Sequence, residues 1–275
     1  MKKHKICKIL LVILAIFLCV AFYELLGICV AYKKQPEVSN TTKKETKNGS
    51  WNECSENTER AVIIEKNPEA LLQRVRLIKN AKKEIILSTF AFQSDESGKL
   101  ILGALHDAAD RGVHIRLLVD GMESWIDMEG NPYFYGLSSH ENVEIKLYNK
   151  ANPLKPWKMM GRMHDKYLIA DGKRYILGGR NTYNYFLGDF PGHKNYDRDV
   201  LVVCDEPEKE NSVNQLLEYF ETIWEQEDSG YFHDNKKLAN RKSVKNAVLE
   251  LQNGYQKYFE ENKERICDTD YTDET

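Results

Sequence analysis

"GRMHDKYLIADGKRYILGGRN", residues 161–181, decides the fold. Two short apolar runs flank Asp171-Gly172, a dipeptide suited to a two-residue hairpin because both positions tolerate positive φ. The stretch therefore predicts two antiparallel strands joined by a tight turn. Side chains alternate along a strand, so His164 and Lys166 share one face while Asp165 and Tyr167 face the other way. An imidazole beside an ammonium suits an anionic centre. The lysine neutralises phosphate oxygens, and an imidazole kept neutral by the adjacent cation can act as a nucleophile. Gly178 and Gly179 remove side chains where a backbone must approach closely, and Asn181 supplies an amide donor. This chemistry needs no metal, and no cofactor is expected. Taken singly, Asp171 is a turn former, the glycines fit a bulge, and a histidine beside a lysine is ordinarily solvated.

Outward from this stretch, helices and strands alternate. Asn67 and Pro68 open a helix with Leu71, Val75 and Ile78 on one face. "EIILSTFAF" (84–92) reads as a buried strand, and Leu100, Ala104, Leu105 and Ala108 as an amphipathic helix stopped at Gly112. "VHIRLLVDG" (113–121), "VEIKLYN" (143–149) and "RDVLVVC" (198–204) are further strands. A helix comes next, with Val213, Leu216, Leu217, Phe220 and Trp224 on its buried face. The pattern predicts an α/β fold, a mixed β-sheet flanked by helices on both faces. Residues 229–275, charged and helix-prone, are expected to be a linker or frayed tail.

The N-terminus departs from globular composition. An apolar run from about Ile9 to Tyr32, interrupted by Glu24, lies between lysines at both ends. About 20 apolar residues span a bilayer as a helix. The run reaches that length if Glu24 sits at an interface, so residues 1–33 are expected to form a membrane anchor, with a cleaved signal peptide as the alternative. Anchoring would place the protein at the cell membrane by a single N-terminal pass. Residues 34–60 are polar and read as a tether. The remaining residues, 61–228, are expected to form the folded unit. Six cysteines show no CxxC spacing or Cys/His cluster, and the net charge of −3 gives no global basic field for nucleic acid.

The spacing H-x-K-x4-D-x6-G-G-x-N, filled by His164, Lys166, Asp171, Gly178, Gly179 and Asn181, resembles the HKD signature of the phospholipase D superfamily. "LHDAADRGVHIRLLVDG" and "YNKANPLKPWKMMGRMHDK" are similar to the approach to the motif in bacterial cardiolipin synthase-like and phosphatidylserine synthase-like members. "NYDRDVLVVC" and "FETIWEQ" resemble the strand and helix beyond the motif in those members. The likeness runs from about 61 to 226, one catalytic half.

The resemblance implies a phosphodiesterase or phosphatidyltransferase acting on phospholipids through a phosphohistidine. His164 would attack phosphorus, while Lys166 and Asn181 hold the phosphate. Asp197, ahead of Asp199 in "YDRD", would orient the imidazole. Asp171 is carried over as catalytic, and Gly178, Gly179 and Arg180 as substrate-binding. A second motif must supply the acid, and the sequence has no second H-x-K. The expected partners are therefore a phospholipid, a membrane, and either a second copy of the chain or a complementary half. Two alternatives stand beside this reading: a dimeric single-motif nuclease, with nucleic acid the less expected substrate, and an inactive membrane-attached half-enzyme.

Overall fold

The computed structural model describes residues 2–33, 39–40, 43–44, 59–206, 211–233 and 237–271. Most of the expected tether, Cys54 included, lies outside the described residues. The chain divides into two compact units.

One unit holds helix α1 (Lys2–Lys33) and residues 151–162, which contain a short 3-10 turn at Pro156–Lys158. Among the described residues α1 is the one helix long and apolar enough to cross a membrane, over Lys5–Lys33. Its Leu, Ile and Phe side chains are exposed along most of its length.

The other unit carries the sheet. Its elements in chain order are β1 (Glu59–Ile64), α2 (Asn67–Asn80), β2 (Glu84–Thr89), α3 (Glu96–Asp110) and β3 (His114–Asp120). Next come α4 (Gly121–Asp127), α5 (Pro132–Ser138), β4 (Val143–Tyr148), β5 (Lys166–Ala170) and β6 (Arg174–Gly178). The unit closes with β7 (Asp199–Cys204), α6 (Ser212–Trp224), β8 (Ser229–Tyr231), α7 (Lys242–Glu261) and α8 (Lys263–Cys267). The eight strands lie in the order β1-β7-β6-β5-β2-β3-β4-β8. The β2–β3 and β3–β4 pairs are parallel and the rest antiparallel, giving the mixed sheet that the alternation predicts.

Strands buried on both faces need apolar residues at odd and even positions. In β2, Ile85 and Leu87 join the larger core, with residues of α2, α3, α5 and α7, while Ile86 joins the smaller core under α6. The β5–β6 hairpin turns at Asp171 (φ 55°) and Gly172 (φ 62°), the paired positive values of a type I′ turn. Lys173 N closes it on Ala170 O at 3.0 Å.

The C-terminal region corrects the sequence reading. β8 pairs with β4, and α7 buries Val244, Ala247, Leu251, Tyr255 and Phe259, so residues 229–271 belong to the folded unit and are not a linker. Apolar residues on α7 recur every three to four positions on one narrow stripe, which charged neighbours mask in composition. Ile266 and Tyr271 are also buried, and the Arg76 guanidinium lies 3.9 Å from the Tyr271 ring centroid. Likewise Glu59 and Arg60, expected in the tether, begin β1.

Candidate active site

β2, β3 and β4 end, and β5 and β7 begin, at one edge of the sheet. The register sets Thr89 opposite Lys166 and Gly178 opposite Asp199, so the chemistry-bearing residues gather at that edge. Met163 fixes the entry to β5. Its N–H donates to Asp120 Oδ2 at 3.1 Å, while Asp120 Oδ1 caps α4 by accepting from Met122 N (3.0 Å) and Glu123 N (3.3 Å). One buried carboxylate therefore holds both the end of β3 and the residue before His164.

His164 is exposed, and its ring packs edge-on against Phe90, centroids 4.7 Å apart. Among the described residues its imidazole has no hydrogen-bond partner. Lys166 is buried on the same side of β5. Its Nζ donates to His164 O at 2.6 Å and lies 5.3 Å from the Phe90 ring centroid. Burial lowers the Lys166 pKa below the usual lysine value, opposed by the charges of Asp165 and Asp197. Asp165 faces the other way and accepts from the Tyr219 hydroxyl of α6 at 2.8 Å. Burial and that carboxylate push the Tyr219 phenol up to about 12.

The glycine pair makes room for two carboxylates. A Cβ on Gly179 would fall on the Asp197 carboxylate, and one on Gly178 would strike Asp199 and lie 2.5 Å from Arg198 O. Asp197 accepts from Arg198 N at 2.7 Å and stands close enough to act on Lys166. Asn181 is buried, with its Oδ1 accepting from Ala91 N at 3.2 Å and its side chain also bonded to the Tyr183 hydroxyl. His164, Lys166, Gly178, Gly179, Asn181 and Asp197 are thus all borne by strand ends at this edge.

Two residues carried over with the motif lie elsewhere. Asp171 sits beyond the far end of β5. Its carboxylate accepts from Lys82 N (2.9 Å), Lys83 N (2.7 Å) and Glu84 N (3.0 Å), so it clamps the loop entering β2. A catalytic role for Asp171 is corrected to a structural one. Arg180 is not a substrate ligand either: its guanidinium is wholly buried and spent on Asn67 Oδ1 (3.2 Å), Ile64 O (3.1 Å) and Glu65 O (2.7 Å). It also meets Asp199 Oδ2 at 3.2 Å, which Arg74 reaches at 2.9 Å. These ions hold α2 and the start of β7 in place. Of the aromatics after the motif, Tyr183, Tyr185 and Phe186 pack on one another and on the larger core.

Asp120, Phe90 and Arg74 escape the sequence reading. Asp120 precedes Gly121 and looks like a turn residue, Phe90 looks like core, and Arg74 is a cation on an apolar helix face.

The site edge thus sets an imidazole and a buried ammonium side by side at the start of one hairpin strand of an α/β sheet. The comparisons with known proteins narrow the class. A family model described as "Cardiolipin synthase, PLD-like domain" matches residues 74–224. The chain belongs to this family, the cardiolipin synthase-like branch of the phospholipase D superfamily. An uncharacterized protein of Helicobacter pylori strain J99 is 30% identical over 212 residues, 72% of this chain and 39% of that protein. Cardiolipin synthase C of Escherichia coli K12 is 29% identical over 171 residues, 57% of this chain and 34% of that enzyme. The matches span well under half the length of these relatives. The phosphatidylserine synthase of Haemophilus influenzae has the same fold, with a TM-score of 0.50 and 17% identity over 73% of this chain and 44% of that one.

Proposed function

We propose that this chain is a membrane-anchored phosphodiesterase or phosphatidyltransferase of phospholipids. The single observation that carries the reading is the shared face of His164 and Lys166 at the sheet edge, with Asn181 and Asp197 on the adjoining strand ends. His164 Nε2 or Nδ1 attacks phosphorus, and the leaving alcohol departs as a phosphohistidine forms. Lys166 and the Asn181 amide take up the charge that develops on the phosphoryl oxygens. Asp197 orients the imidazole once substrate closes the site.

A second proton donor must reach the leaving oxygen, and His164 cannot serve as nucleophile and acid in the same step. We assign that acid to a second motif facing this one, from another copy of the chain or from a complementary half. The exposure of His164 in the single chain supports such pairing. The packing of residues 154–158 against α1 supports a retained anchor over a cleaved signal, because cleavage would strip that segment of its partner.

Substrate class is tested by giving the full chain labelled phosphatidylglycerol vesicles beside labelled single-stranded DNA. Release or transfer of the phosphatidyl group with the DNA left intact is expected. Cleavage of DNA alone would favour the nuclease alternative.

A further inference from the structure

The segment leading to the motif is built as a surface of its own. Between Asn152 and Gly161 the backbone turns about every three residues. Lys155 N bonds Asn152 O (2.9 Å), Lys158 N bonds Lys155 O (2.9 Å), Met159 N bonds Pro156 O (3.1 Å) and Gly161 N bonds Lys158 O (3.0 Å). The 3-10 turn itself covers Pro156–Lys158, and Lys155 ahead of it is not helical (φ −132°, ψ 60°). Leu154, Trp157 and Met160 are 78%, 45% and 52% exposed. Lys155 and Lys158 are exposed, Pro156 is buried and Met159 is half-buried.

The 3-10 turn is seated on α1 through Pro156. The Tyr23 hydroxyl donates to Leu154 O at 2.9 Å, and Gly27 is buried beneath Pro156. A Cβ on Gly27 would come 2.8 Å from Pro156 Cβ and 3.1 Å from Trp157 N, so only glycine admits this approach. Ala21, Glu24, Gly27 and Ala31, three to four residues apart, are the covered or partly covered positions on this part of the helix. Glu24, the one acidic residue in the apolar run, thus lies on the partly covered face.

From this geometry we propose that residues 151–162 form an interfacial platform, whose occupant is the headgroup layer of the phospholipid bilayer that α1 crosses. The proposal rests on the anchor reading above. Trp and Tyr favour the headgroup level, where an apolar ring and a polar edge are both satisfied. Leu154, Trp157 and Met160 enter the acyl boundary, while Lys155 and Lys158 reach lipid phosphates. The level agrees with Tyr23 and Glu24 marking the membrane surface on α1. The platform ends in sequence at Arg162, two residues before His164.

The test uses the full chain in vesicles of phosphatidylcholine and phosphatidylglycerol, with phosphatidylcholine brominated either near the headgroup or near the chain end. Trp157 emission is read as the difference between wild type and Trp157→Phe, and flotation with the vesicles reads the anchor separately. Quenching of the Trp157 component, stronger with the shallow bromine, is the expected result. A chain that floats while its Trp157 component is unquenched, or is quenched more by the deep bromine, overturns the platform and leaves the anchor standing. A chain that does not float overturns both.

Discussion

Lys166 concentrates the site's electrostatics. A buried ammonium with a lowered pKa holds its proton more firmly when an anion arrives, because the anion restores the stabilisation of charge that burial removed. Affinity for an inert phosphate analogue such as sulfate should therefore be full while Lys166 is protonated. It should weaken as pH rises through the lowered pKa, below the ordinary lysine value of 10.5. The sign for folding is opposite. Burying the charged form costs stability at neutral pH, so Lys166→Met should lose anion affinity with a Tm no lower than wild type. Titration of sulfate binding with pH and thermal melts check both. Binding that persists unchanged past the ordinary lysine pKa would remove Lys166 from the phosphate site. Gly179 and Asp197 act as a pair at the same scale, since only a residue without Cβ leaves the carboxylate its place.

At the scale of elements, the β5–β6 hairpin has chemistry at one end and architecture at the other. His164 and Lys166 enter it, and Asp171 leaves it to clamp the amides of residues 82–84. Asp171→Ala should destabilise the fold by about 1–3 kcal/mol, the cost of amides losing a charged acceptor. Turnover per folded molecule should not change. Denaturant unfolding and activity under native conditions check this, and lost turnover with full stability would return Asp171 to the site. The hairpin, its turn and the faces of His164 and Lys166 were legible because strand alternation and an Asp-Gly turn are local rules. The roles of Asp171 and Arg180 were not, because their partners lie at residues 82–84 and 64–67, distant in sequence. Asp120 was hidden for the same reason: its contact with Met163 spans 43 residues.

Across the whole molecule, the same limit explains the tail. α7 and α8 have too few apolar residues to announce a core, yet they complete one, because α3 and α5 offer a face for that stripe to cover. The sheet's site edge leaves His164 in the open, as the proposed second motif would need. The N-terminal helix and the segment seated on it form the other unit of the chain. Phosphoryl transfer through His164 is the central claim of the proposed function. Its most direct test is the turnover of labelled phosphatidylglycerol vesicles by the full chain beside His164→Ala, with both proteins shown to share one melting profile. Turnover by the wild type and none above background by the variant is expected, since an exposed imidazole contributes little to the fold. Turnover that survives in His164→Ala would overturn the phosphohistidine route.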